Sequence, residues 1–231
     1  MVTNQEIMEA LAVGFNRFLY DDFRTLDGVA ITKTGTAAET ARVLDFKLSS
    51  GIMANSTIKV RYNYNIFNPT YADAYFRVQF SDTENIKAFF GFKETSDAPI
   101  FGDVGTMVEY HVGVTIEPDI KNALLGPKMY FSTGDGTSQQ KVEILGIDAT
   151  RDMIYKISGH ELSTYPLPQV IPYFDNFRLI TPDRVWTKKQ DNSSVLPFDT
   201  TYYMMFYLEN LTNEEKNVRI KSVTYGEEYA D

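Results

Sequence analysis

The sequence predicts an all-β protein, two antiparallel sheets packed as a sandwich, preceded by one N-terminal amphipathic helix. Three observations carry this. From Asp21 onward apolar residues recur with period 2 in about a dozen short runs, the pattern of strands with one buried face. No segment between these runs repeats at 3.6 residues, which disfavours a parallel sheet with crossover helices. Aromatics form 14% of the 231 residues, with 15 Tyr and 16 Phe, and such rings pack well on pleated surfaces.

The helix is read from the first twenty residues. Thr3-Asn4-Gln5-Glu6 fits a capping box, in which the Thr hydroxyl and the Glu carboxylate satisfy two orphan backbone donors. Behind it Ile7, Leu11, Phe15 and Phe18, flanked by Met8 and Leu19, form one apolar stripe. A helix of about fifteen residues is marginal alone, so the stripe must be buried. It packs either on the domain's own surface or, as an assembly interface, on a neighbouring subunit. The division is therefore a helical arm over 1–20 and a sandwich over 21–231.

The strands follow in order. Ile58, Val60, Tyr62, Tyr64 and Ile66 alternate with Lys59, Arg61, Asn63 and Asn65. Phe76, Val78 and Phe80 alternate with Tyr75, Arg77 and Gln79, and Ile86, Ala88, Phe90 and Phe92 oppose Lys87, Phe89 and Gly91. Val108, Tyr110, Val112, Val114 and Ile116 alternate with Glu109, His111, Gly113, Thr115 and Glu117. Each run has one apolar and one polar face, as in antiparallel sheets wetted on one side. Further strands are expected over 41–48, 128–132, 141–145, 153–157, 177–180, 184–188, 201–208 and 218–225. Turn clusters separate them, among them Asn68-Pro69, Gly134-Asp135-Gly136 and Thr181-Pro182-Asp183. Pro166, Pro168 and Pro172 make 165–172 an extended connection across an edge.

Composition excludes several functions. The formal charge of −9 argues against a sequence-independent nucleic-acid surface and against a polybasic membrane patch. With no cysteine, disulfides, thiolate catalysis and Cys-ligated zinc are excluded. No run approaches the roughly 18–20 apolar residues of a membrane span. Glu6 and Glu9, with no Lys or Arg before an apolar run, do not make a secretory signal, so synthesis in the cytoplasm without a signal peptide is expected. Lys59, Arg61 and Arg77 on polar faces still allow a locally basic sheet on an acidic protein.

The order of elements resembles concanavalin A-like lectin/glucanase (LamG-like) jelly rolls. The resemblance lies in Met129-Tyr130-Phe131-Ser132-Thr133-Gly134-Asp135-Gly136 followed by Lys141-Val142-Glu143-Ile144, in Met153-Ile154-Tyr155-Lys156-Ile157, and in the hairpin Phe177–Trp186 with Pro182-Asp183 at its turn. It continues in Tyr202–Tyr207 and Val218–Tyr225, and Tyr20-Asp21-Asp22-Phe23 resembles the "D-D-F" start of many such modules. The implied fold is a jelly-roll sandwich whose polar inner-sheet face is the ligand surface. Arg61, Tyr75, Arg77, Glu109 and His111 on that face, with Trp186 at a hairpin end, are the candidate ligand-binding residues.

Glucanases of this fold carry E-x-D-x-(x)-E on a strand, which places a nucleophile and an acid/base on one face, about 5–5.5 Å apart in a retaining site. The nearest match is Glu117-Pro118-Asp119, followed by Lys121 where a third carboxylate would fall. No catalytic residue is therefore assigned. No cofactor is required; the candidate metal is calcium, which takes carboxylates on loops, with Asp21, Asp22 and Asp135 available. With two His, a His-rich zinc site is not possible, and Gly134-Asp135-Gly136 is a tight turn.

The expected function is that of a non-enzymatic structural or attachment module of a larger assembly, with protein subunits as homo- or hetero-oligomeric partners. Similar modules occur in virions, so a virion decoration or capsid-associated protein is the specific expectation. A soluble carbohydrate-binding domain with a glycan partner is the second reading. A glycan hydrolase or lyase using Glu117 and Asp119 is the third.

Overall fold

The computed structural model describes residues 15–41, 46–63, 65–67, 72–99, 101, 107, 109–118, 127–144, 147–158, 171–175, 186–187 and 201–228. These form fifteen strands, without a helix among the described residues. An eight-stranded antiparallel sheet runs β13 (Trp186–Thr187), β12 (Ile171–Asp175), β11 (Met153–Ser158), β6 (Ala72–Phe80), β15 (Asn217–Glu228), β4 (Phe46–Ser49) and β3 (Ala38–Thr40), and β1 (Phe15–Asp21) also pairs with β15. A seven-stranded antiparallel sheet runs β10 (Gln139–Glu143), β9 (Pro127–Gly134), β8 (His111–Pro118), β7 (Ile86–Lys93), β14 (Tyr203–Asn210), β5 (Thr57–Tyr62) and β2 (Val29–Lys33). The two sheets make the sandwich that the period-2 runs predict.

The N-terminal helix is corrected over its last turns. Phe15 and Phe18 stand on β1, extended, opposite Glu228 and Gly226 of β15. The reason lies in β15, which is 12 residues long while β4 pairs with only Asn217 to Ile220. β1 takes up the rest of that edge, where unpaired backbone groups would otherwise form an open template. Ile7, Leu11 and the Thr3 capping box lie outside the described residues.

Alternating apolar residues from both sheets meet in one core. Phe76 of β6 lies at its centre, with ring centroids 5.8 Å from Phe90, 5.8 Å from Phe92 and 5.7 Å from Phe206. Along β15 the core residues change parity, from Val218 and Ile220 to Val223 and Tyr225. A bulge between Ile220 and Ser222 absorbs the extra residue, as bulges do.

The Asp21-Asp22-Phe23 motif is a structural plug. Asp21 Oδ1 accepts from the Phe23 amide at 2.7 Å and its Oδ2 from the Tyr62 hydroxyl at 2.7 Å. These bonds hold Phe23 at φ 57°, a strained value for a bulky residue. Its fully buried ring stacks on Phe46 at 4.9 Å.

One glycine is fixed by a close approach. Gly91 sits at φ +148°, and a Cβ there would lie 2.4 Å from the Val112 carbonyl oxygen and 2.5 Å from Gly113 Cα. Both obstacles are backbone. Gly91→Ala is expected to cost at least the roughly 1–3 kcal/mol of a strained backbone position, read as a lower urea midpoint; an unchanged midpoint would show that β7 and β8 separate freely here.

Candidate functional site

The outer face of the seven-stranded sheet is the surface that the resemblance marks for ligands. Four rows cross it. His111 pairs with Lys93 and Gly134, Gly113 with Gly91 and Ser132, Thr115 with Phe89 and Tyr130, and Glu117 with Lys128. His111, Thr115 and Glu117 were expected on a wetted face, but all three are buried. Burial has a visible cause: Ser96, Ala98, Phe101 and Met107, described residues after β7, lie against this face. Lys59 Nζ donates to the Ser96 carbonyl at 2.6 Å, and Met107 N donates to Gln139 Oε1 at 2.8 Å. Phe89, Met107, Met205 and Tyr207 form a second apolar cluster here, with Ala98, Phe101 and Tyr203 packed against it.

Every carboxylate described on this face has a lysine. Both Glu117 oxygens accept from Lys141 Nζ at 2.6 Å. Glu109 Oε1 lies 2.8 Å from the buried Lys93 Nζ, Glu209 lies 3.6 Å from Lys87, and Glu143 lies 3.4 Å from Lys128. Desolvation lowers the Lys141 pKa and its bond to Glu117 opposes that shift. Glu117 is thus tied into an ion pair, and Asp119, its proposed partner in glycan hydrolysis, lies outside the described residues.

His111 is held by both ring nitrogens. Nδ1 is 2.6 Å from the Glu109 carbonyl oxygen and Nε2 is 2.7 Å from Ser132 Oγ. A carbonyl only accepts, so Nδ1 carries the proton and Nε2 accepts from the Ser132 hydroxyl. Gln139 Nε2 donates to the same hydroxyl oxygen at 2.8 Å. Burial, reinforced by Lys141 and Lys93, pushes the imidazole pKa down to about 3 against the opposing bond to Glu109. Serine donating to a neutral imidazole is the arrangement of an activated nucleophile. Here the third position is a main-chain carbonyl rather than a carboxylate, and Ser132 and His111 are both 0% exposed.

The remaining predicted ligand residues do not converge on this face. Arg61 does lie on it, with its guanidinium 5.1 Å over the Tyr203 ring and Nη1 donating to the Tyr62 carbonyl at 3.1 Å. Tyr75 and Arg77 belong to β6, in the other sheet. Lys156 Nζ lies 5.3 Å from the Tyr75 ring centroid, and Arg77 grips Asp152 through Nε at 3.0 Å and Nη2 at 2.8 Å. Trp186 stands on β13, opposite Phe174. The basic set Lys59, Arg61 and Arg77 is accordingly split between two sheets.

Each of the three candidate calcium ligands is engaged in a contact of its own. Asp21 serves the Phe23 plug, Asp22 Oδ2 accepts from Arg24 Nε at 2.7 Å, and Asp135 Oδ1 closes its own turn by accepting from Thr137 N at 2.9 Å and Ser138 N at 2.7 Å. Those turn amides hold the Asp135 pKa below the usual carboxylate range. Among the described residues no three His, Cys, Asp or Glu cluster as a metal site.

Lys93, Ser132, Gln139 and Lys141 were not singled out from sequence. The alternation would place each on this face, but no local pattern shows that a connection covers it. The available signal was Phe89, an aromatic at a position reserved for polar side chains.

No family model and no curated protein matches the chain. Solved structures do. The carbohydrate recognition domain of Emp46p in its metal-free form is similar at TM-score 0.58 and 13% identity, over 91% of this chain and 93% of that one. The legume lectin-like domain from Entamoeba histolytica matches at TM-score 0.56 and 9% identity, over 87% and 91%. The catalytic domain of an endo-1,3-beta-glucanase (laminarinase) from Thermotoga petrophila RKU-1 matches at 0.54 and 12%, over 83% and 81%. The fold is therefore the concanavalin A-like lectin/glucanase sandwich, shared by sugar-binding and sugar-cleaving proteins alike. Fold alone does not assign function.

Proposed function

We propose that this protein is a non-catalytic concanavalin A-like module that acts as a structural or attachment part of a larger assembly. The observation that carries the reading is the covered outer face of the seven-stranded sheet. Its carboxylates are spent on lysines and its histidine is kept neutral. A retaining glycosidase needs one carboxylate free to attack and another free to donate a proton, and Glu117 meets neither condition while Lys141 holds it.

The β4–β5 turn offers what an attachment part needs, a rigid apolar tip. Ile52 is 66% and Met53 51% exposed. Their backbone is fixed by Gly51 at φ 67° and Asn55 at φ 62°, by Met53 N donating to Thr36 Oγ1 at 3.1 Å, and by Ala54 N donating to Asn213 Oδ1 at 3.3 Å. Exposed apolar side chains on an ordered loop cost little entropy to bury against a partner. The virion form of this reading rests on the sequence resemblance alone.

Sedimentation of the full chain over a wide concentration range tests it. Concentration-dependent association is expected, weakened by Ile52→Ser with Met53→Ser while the urea midpoint stays within about 0.5 kcal/mol, as for surface substitutions generally. A monomer at every concentration counts against the assembly reading. The second reading, a carbohydrate-binding domain, is favoured by the likeness to the Emp46p recognition domain; glycan-array binding, run with calcium and with chelator, would support it instead.

A further inference from the structure

With no cysteine in the chain, its sulfur chemistry belongs to eight methionines. Met1 and Met8 lie outside the described residues. Burial divides the others sharply. Met129, Met153 and Met204 belong to the main core and Met107 and Met205 to the second apolar cluster, each at most 9% exposed. Met53, on the β4–β5 turn, is 51% exposed. With three rotatable bonds in its side chain, a methionine this exposed can present its sulfur to solvent.

We infer that Met53 is a specific site of reversible oxidation by hydroperoxides. A thioether lone pair attacks one oxygen of hydrogen peroxide, so that an S–O bond forms as the O–O bond breaks. The departing hydroxide takes the proton from the sulfur-bound oxygen and leaves as water. Sulfur loses two electrons and the peroxide gains them, which leaves methionine sulfoxide, a polar group in place of an apolar one. Peroxide must touch sulfur for this to happen. The five buried thioethers meet it only after a local opening of the sandwich, whereas Met53 needs none.

The framework of the turn does not use the Met53 side chain. Met53 N donates to Thr36 Oγ1 at 3.1 Å, and its carbonyl accepts from Ser56 N at 3.2 Å. Asn55 N donates to the Asn210 carbonyl at 2.7 Å. Oxidation at sulfur breaks none of these bonds, so the fold survives it. What changes is the surface beside Ile52, where the new oxygen is costly to bury without a donor. The sulfoxide therefore loosens any contact that covers the tip. This consequence rests on the assembly reading; the reactivity of Met53 does not.

The test treats the full chain with hydrogen peroxide and maps its peptides by mass spectrometry, reading each methionine by its added oxygen. Sedimentation and urea unfolding follow on the same samples. Met53 should gain oxygen at least about tenfold faster than Met107, Met129, Met153, Met204 or Met205, because they react only through local opening. Self-association should weaken by roughly tenfold, the cost of a buried polar group without a partner, while the urea midpoint stays unchanged. Methionine sulfoxide reductases with a thiol reductant should restore it. Met53→Leu, read against its own untreated state, should show no loss. Oxidation of Met53 no faster than that of the buried five would overturn the site. Association that survives oxidation of Met53, or that the Met53→Leu protein loses equally, would overturn its effect on the tip. A chain that is monomeric before and after treatment, yet oxidised first at Met53, would defeat the assembly reading and its consequence and uphold the site.

Discussion

Replacing Phe76 with alanine is expected to lower the unfolding free energy by about 3–5 kcal/mol, the range for deleting a buried Phe and leaving a partly relaxed cavity. The residue is fully buried. It sits on β6, which pairs with both β11 and β15, and its ring meets Phe92 and Phe206 edge to face, at 72° and 74° between planes. Phe92 and Phe206 come from the other sheet, so the truncation removes contacts across the sandwich as well as within it. Neighbouring rings are held by their own strands, which limits collapse into the void and favours the upper part of the range. Urea unfolding should show a lower midpoint with an unchanged m-value. A loss below about 1 kcal/mol, less than the removal of two buried methylenes, would mean that the two sheets do not close on this ring.

How far the sequence shows this architecture depends on what each residue's neighbours decide. Phe76, Val78 and Phe80 alternate without interruption, and a strand whose local pattern matches its tertiary face is readable from one chain. Phe15 and Phe18 are not, because the stripe they complete has helical spacing while the vacant edge of β15 decides their pairing from more than 200 residues away. The β15 bulge is a middle case: Lys221 and Ser222 interrupt the alternation visibly, but which partner absorbs the extra residue is a property of β6. For the site, the alternation places His111, Thr115 and Glu117 on one face of β8, while Glu109, read with them, precedes the strand. Their burial was not legible, since polar residues read as wetted unless the segment that covers them is known. Nor does a strand's own sequence say which sheet it joins, which is why Tyr75 and Arg77 were grouped with residues on the far side of the sandwich. The cross-strand pair Lys47 and Arg219 illustrates the same limit, since its members are 172 positions apart and only the register of β4 on β15 makes them neighbours.

Mild acid should destabilise this protein above the pH range in which its shifted aspartates protonate, and His111 is the group responsible. Its imidazole is neutral when buried, with a pKa of about 3 against an ordinary value of 6.5. The unfolded chain therefore binds a proton that the folded one refuses. The stability that His111 supports is fully present above pH 6.5 and is lost progressively as pH falls from there toward 3. One proton corresponds to a slope of about 1.4 kcal/mol per pH unit, so the interval from pH 6.5 to 4.5 should remove about 2–3 kcal/mol. Asp82, Asp148 and Asp152 are held below their usual 3.8 by hydrogen bonds and cationic partners, so their contributions are lost only at lower pH and leave this window to histidine. Charging His111 in place would set an imidazolium beside Lys93 and Lys141 and break the bond that Nε2 accepts from Ser132. His111→Gln removes the titration but keeps an amide able to hydrogen-bond, and His160, common to both proteins, cancels in the comparison. Urea unfolding at pH 7.5, 6.5, 5.5 and 4.5 should find the variant less stable at the top of the range and flatter by close to one proton across it. Parallel pH slopes for the two proteins would show that His111 is not the buried neutral group on which the acid sensitivity depends.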